Sequence, residues 1–128
     1  TSIDMTIDTA TQVLKAHRLA SHVKLVKGES LTVIGGMAAR KGRPTIGSLD
    51  VVLLDSGNDA ELTLNEFLTV RPLLRTPALV MVDDVNMASQ EVVKGHMIVP
   101  FLEGAGIEHR IIQRDGDGFT TGVLVFEV

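Results

Sequence analysis

The sequence predicts an α/β fold: a mostly parallel sheet flanked by helices and closed by an antiparallel hairpin. Three observations carry that expectation. Short apolar runs rich in Val, Ile and Leu recur along the chain and end in Asp, Gly or Ser. Stretches with helical apolar spacing separate them, and such alternation produces parallel pairing through right-handed crossovers. The last two extended runs instead flank Asp115-Gly116-Asp117-Gly118, a turn signal that joins antiparallel neighbours.

In chain order, Thr1 to Met5 is the first extended run. Thr9 and Gln12 stand three apart, as a capping box requires, so a helix is expected to open there. It runs to about Ala20 with Ala10, Val13, Leu14 and His17 facing inward. The run Val23 to Val26 gives a second strand, ended by Gly28-Glu29-Ser30. Leu31 to Ala39 is expected as a short irregular helix around Gly35-Gly36, and Arg40 to Ser48 as a loop.

Leu49 to Leu54, interrupted only by Asp50, has the texture of a strand covered on both faces and is expected at the centre of the sheet. It ends in Asp55-Ser56-Gly57-Asn58. From Asp59 to about Val70 a helix follows, with an acidic first turn, apolar Leu62, Phe67 and Leu68, and a stop at Pro72. Ala78 to Val82 is again an apolar strand ending in acids, Asp83-Asp84. Ala88 to Leu102 is expected as a helix with Val92, Val93, His96 and Met97 inward, disturbed at Pro100 and ended at Gly104 or Gly106. Ile107 to Gln113 and Thr121 to Val128 supply the hairpin.

A chain of 128 residues, 45% hydrophobic and 22% charged, is one domain with enough apolar surface for a core. Aromatic residues make up 3% and the formal charge is −4, so neither a base-stacking platform nor a phosphate-neutralising face is expected. Nucleic acid is therefore not the expected partner. Without Cys there is no disulfide framework and no thiolate metal site, which fits a reducing, cytoplasmic address. No run approaches the roughly 20 apolar residues that span a bilayer, and no basic-then-apolar signal opens the chain, so a membrane is not an expected partner either.

Ligands of such sheets sit beyond the carboxyl ends of the strands. Asp4, Gly28 to Ser30, Asp55 to Asn58 and Asp83 to Asn86 are the residues placed there. An acid after a buried strand often does no more than cap the next helix. The recurrence of acids favours a functional reading. Asp4 can accept from both hydroxyls of a ribose, and Asp55, Asp83 and Asp84 leave two adjacent strands. Carboxylates packed together repel, and a hard divalent cation with oxygen ligands relieves the repulsion. The four histidines lack metal-ligand spacing; His17 and His96 read as core or interface residues. Ser30 and Ser56 lack the G-x-S-x-G setting of a hydrolase nucleophile.

The run Leu49 to Asp55, then a helix containing Pro72-Leu73-Leu74-Arg75, then Ala78 to Val85 together resemble class I S-adenosylmethionine-dependent methyltransferases, nearest the metal-dependent catechol and caffeoyl-CoA O-methyltransferases. Thr1-Ser2-Ile3-Asp4 is similar to the family's second strand, Val26 to Ser30 to its segment near the adenine, and Thr121 to Val128 to its last antiparallel strand. The resemblance implies a Rossmann-like sheet that starts at strand two, because the family's first strand and glycine-rich loop would precede Thr1. It implies S-adenosylmethionine contacts at Asp4, Met5, Gly28, Glu29, Ser30, Asp55 and Ser56. It also implies a metal site at Asp55, Asp83 and Asp84, with Asp55 catalytic through the Mg²⁺ or other divalent cation. The catechol-type Lys, three residues after the first metal-binding Asp, is replaced by Asn58, which cannot serve as a general base.

The function so implied is methyl transfer from S-adenosylmethionine to a hydroxyl of a small molecule. The alternative is a non-catalytic cofactor-binding or interaction module on the same scaffold, since fold does not guarantee turnover. Self-association into a homo-oligomer is compatible with both.

Overall fold

The computed structural model describes residues 1–4, 6–39, 47–85, 94–116 and 119–128. The chain forms β1 (Ser2–Asp4), α1 (Asp8–Ala16), β2 (Leu25–Lys27), α2 (Ser30–Ala39), β3 (Leu49–Leu54), α3 (Ala60–Val70), a 3-10 turn (Arg71–Leu73), β4 (Leu74–Val82), α4 (Gly95–Gly104), β5 (His109–Gly116) and β6 (Phe119–Glu127). The α/β alternation and the closing hairpin are those the sequence predicts. Parallel pairing joins β1 to β2 and β3 to β4, whereas β6 runs antiparallel to both β4 and β5. The strands make a two-stranded sheet and a four-stranded sheet of order β3-β4-β6-β5.

One core dominates. Leu54, Ala78, Val80, Val82, Leu124 and Phe126 present one face of the larger sheet, and Phe67 of α3 with Ile98 and Leu102 of α4 cover it. Phe67, Val80, Val82, Ile98, Leu102 and Leu124 are all fully buried. A smaller cluster of Ile34, Val70 and Leu73, with Ile3, Met37, Leu49 and Val52 packed against it, ties α2 and β1 to the end of α3. Asp59 caps α3 by accepting from the Leu62 N–H at 2.8 Å, which places the helix start where the acidic turn predicts it.

Several expectations are corrected. Leu49–Leu54 is an edge strand of its sheet, not a central one, and only one of its faces is covered: Val51 and Leu53 are 55% and 57% exposed. Helices α3 and α4 lie over the opposite face, and among the described residues no helix packs on the Val51 side. The Thr9–Gln12 capping box does not form; α1 starts at Asp8 after Ile7, with no side-chain cap, and the Thr11 hydroxyl donates to the Ile7 carbonyl. No residue of α1 is buried, so its apolar stripe meets no core, and His17 is exposed. In α4 the inward residues are Gly95, Ile98 and Leu102; His96 is exposed and Met97 is 42% exposed, because the helix is rotated from the expected phase. Met5 and residues 40–46, 86–93 and 117–118 lie outside the described residues, and with them most of the expected loop, part of the expected turn, and Val92 and Val93 of the expected inward face.

Gly28 closes β2 where only glycine fits. Its φ is +150°, and an added Cβ would lie 2.9 Å from Val33 Cγ2 on α2. Gly28→Ala is therefore expected to destabilise the chain by about 1–3 kcal/mol, from overpacking and backbone strain together. Urea denaturation followed by circular dichroism measures it, and an unchanged midpoint would remove the close packing of β2 on α2.

Candidate functional site

Pairing of β3 with β4 decides where the acids meet. Leu54 and Val82 are register partners in parallel strands, so the chain leaves both at one level. The next residues, Asp55 and Asp83, emerge side by side, and the Asp83 N–H donates to the Leu54 carbonyl at 3.1 Å. Asp83 turns its Oδ1 to accept from the Asp84 N–H at 2.9 Å. Asp84 has φ +55°, a left-handed conformation that an Asp tolerates better than most residues and that is found preferentially at functional sites. One carboxylate oxygen from each of Asp55, Asp83 and Asp84 lies within 4.8 Å of the others, with Asp55 exposed and the pair half-buried.

Two buried polar side chains underlie this rim, and the sequence reading missed both. Lys94, at the start of α4, has a side chain only 1% exposed, and its ammonium donates to Asp55 Oδ1 at 3.3 Å. Glu66, on α3, is 2% exposed and accepts from the Ser56 hydroxyl at 2.7 Å. Ser56 is thus held from below rather than presented as a free donor. A signal for Glu66 was available: Thr63, Glu66, Phe67 and Val70 follow helical spacing and are all buried. Lys94 stands four residues before Ile98 and so shares the inward stripe of α4.

Asp4, Gly28, Glu29 and Ser30 form a second group. The Asp4 carbonyl accepts from the Gly28 N–H at 3.0 Å across the ends of β1 and β2. Asp4 is exposed, and its Oδ1 accepts from the Thr6 N–H at 2.9 Å, a local turn that leaves Oδ2 outside it. Glu29 is exposed and begins α2 by accepting from the Val33 N–H through its carbonyl. The two groups stand at the carboxyl ends of separate sheets.

A family model described as a methyltransferase domain matches residues 1–85. The chain belongs to the methyltransferase domain family. The match runs from β1 through the end of β4 and contains Asp4, Asp55, Asp83 and Asp84. No curated protein matches the sequence significantly. Among solved structures the methyltransferase domain is similar to cofactor-bound Rv0187 from MTB, with 20% identity, a TM-score of 0.74, and coverage of 98% of this chain and 59% of that one. It is similar to the O-methyltransferase TomG from Streptomyces achromogenes, involved in tomaymycin synthesis and solved with SAM, at 22% identity and TM-score 0.73 over 98% and 60% of the two chains. An O-methyltransferase from Bacillus cereus in complex with SAH gives 16% identity and TM-score 0.75 over 98% and 61%. These likenesses establish a methyltransferase-like Rossmann fold, of which the chain spans about three fifths of each neighbour's length. Among the described residues no helix is long and apolar enough to cross a membrane.

Proposed function

We propose that this methyltransferase domain serves S-adenosylmethionine-dependent O-methylation of a small-molecule hydroxyl, assisted by a divalent cation such as Mg²⁺. The observation that carries the reading is the convergence of Asp55, Asp83 and Asp84 within 4.8 Å. The donor set fits the ion, because carboxylate oxygens are the hard ligands that Mg²⁺ takes, and Asp55, Asp83 and Asp84 are the residues that would hold it. A divalent cation held there would supply positive charge that favours the ionised form of an acceptor hydroxyl. S-adenosylmethionine supplies a methyl group already activated on its sulfonium, so the chain's task is alignment.

In this reading Asp55 is the catalytic member of the set; its exposure and its position beside Ser56 at the end of β3 support that role. Asp83 orients Asp84 through its backbone bond, and Asp4 at the end of β1 is assigned to a ribose. Gly28, Glu29 and Ser30 line the adenine side of the same cofactor in this reading. A small acceptor suits a surface with few aromatics and an acidic balance better than nucleic acid does. Titration of the protein with Mn²⁺, followed by methyl transfer to a panel of small hydroxyl compounds with and without chelator, tests the reading. Activity indifferent to chelator would remove the cation from it. Asn58, which offers no general base, favours the second reading of a binding module without turnover; cofactor binding with no transfer to any acceptor is its signature.

Asp4 separates cofactor recognition from the cation. Asp4→Asn keeps an oxygen for the Thr6 N–H but loses the charge that strengthens bonds to two hydroxyls. S-adenosylmethionine affinity is expected to fall about tenfold while Mn²⁺ affinity stays the same. Calorimetry with each ligand reads both, and unchanged cofactor affinity takes Asp4 out of the site.

A further inference from the structure

We propose that Lys94 is a built-in counter-ion that sets the charge of the acidic site and restrains its affinity for cations. The inference rests on the cation reading above. It starts from a position: Lys94 is the only cation among the described residues paired with any of the three carboxylates, and its side chain is 1% exposed. Lysine carries a flexible stem that ordinarily takes the ammonium to water. Here the stem is enclosed at the start of α4, where Val85 and Gly95 pack so closely that a Cβ on Gly95 would stand 3.1 Å from the Val85 carbonyl oxygen. The ammonium lies 3.3 Å from Asp55 Oδ1 with its side chain 1% exposed, so its charge belongs to the site.

Two consequences follow from charge alone. Three carboxylates and one ammonium sum to two negative charges, which one divalent cation balances. Any cation that binds Asp55 also approaches Lys94, and the two repel through a region that water screens poorly on the Lys94 side. Repulsion grows in proportion to the charge of the incoming ion, so Lys94 penalises a trivalent ion more than a divalent one. Lys94 is a positioning residue here, acting through Asp55.

The test uses Lys94→Met, which keeps the length of the stem without its charge, and Lys94→Gln, which keeps a neutral donor for Asp55. Lys94→Arg restores the charge. Mn²⁺ binding is measured by calorimetry and Tb³⁺ binding by its luminescence. Both neutral variants are expected to bind Mn²⁺ at least tenfold more tightly than the wild type and to gain still more for Tb³⁺; the Arg variant is expected to keep the wild-type ratio. Lys94→Gln decides the matter if the Met variant does not fold. A residue that merely braces the fold would lower both affinities or leave their ratio unchanged, and either result overturns the proposal. Wild-type Mn²⁺ binding with an unchanged ratio overturns this proposal alone, whereas absence of binding in every protein overturns the cation reading as well.

Discussion

On the proposed function, Asp83→Ala is expected to lower Mn²⁺ affinity about a hundredfold and to take the proposed cation-dependent methyl transfer with it. The residue does two things at once. It contributes an oxygen to the acidic set, and its Oδ1 holds the Asp84 N–H at 2.9 Å while Asp84 sits at φ +55°. Losing a partner that only orients a ligand typically costs 10- to 100-fold in metal affinity, so losing a ligand and its neighbour's brace belongs at or beyond the upper end, roughly a hundredfold. Asp83→Asn keeps the acceptor for Asp84 and loses only charge, and its deficit should be smaller. Calorimetry on variants shown to be folded by circular dichroism reads both; wild-type affinity in Asp83→Ala would dissolve the cation site.

Phe67→Ala should destabilise the domain by about 3–5 kcal/mol, a large share of the roughly 5–15 kcal/mol that holds a typical domain folded. Phe67 is fully buried and packs edge-on against Phe101, with ring centroids 6.0 Å apart at 68°, and against Phe126, at 5.1 Å and 79°. Truncation opens a cavity where α3, α4 and β6 meet and removes both ring contacts. Urea denaturation measures the loss; a change below about 1 kcal/mol would mean that the three rings do not form the keystone of the core.

The acid set was legible because it depends on two features a sequence displays directly. Leu49 to Leu54 and Ala78 to Val82 are apolar runs of matched texture, each followed at once by Asp, and parallel pairing carries the end of one to the end of the other. What covers each strand was not legible. An apolar run reads the same whether both faces or one is packed, so Val51 and Leu53 gave no sign that they would be exposed. The amphipathic pattern of α1 likewise states what could be buried, not whether a core reaches it. Lys94 and Glu66 were passed over for the opposite reason: charged residues are usually placed outside, and only their phase with Ile98 and Phe67 argues otherwise. Met5, assigned to the cofactor by resemblance, lies outside the described residues.

The division of the strands into two sheets has a bearing on cooperativity. The two-stranded sheet and α1 contain no buried residue, and α2 joins them to the rest chiefly through Ile34 and Met37. Segments with so little enclosed apolar surface open at a fraction of the global free energy, as a subunit of folding distinct from the body around Phe67. Asp4 and Gly28 belong to that loosely held subunit, Asp55, Asp83 and Asp84 to the firm one. A nucleotide gripping Asp4 would thus tighten the first subunit by mass action. Part of its binding energy would go into ordering the strand that receives it, while the acidic rim stands ready beforehand.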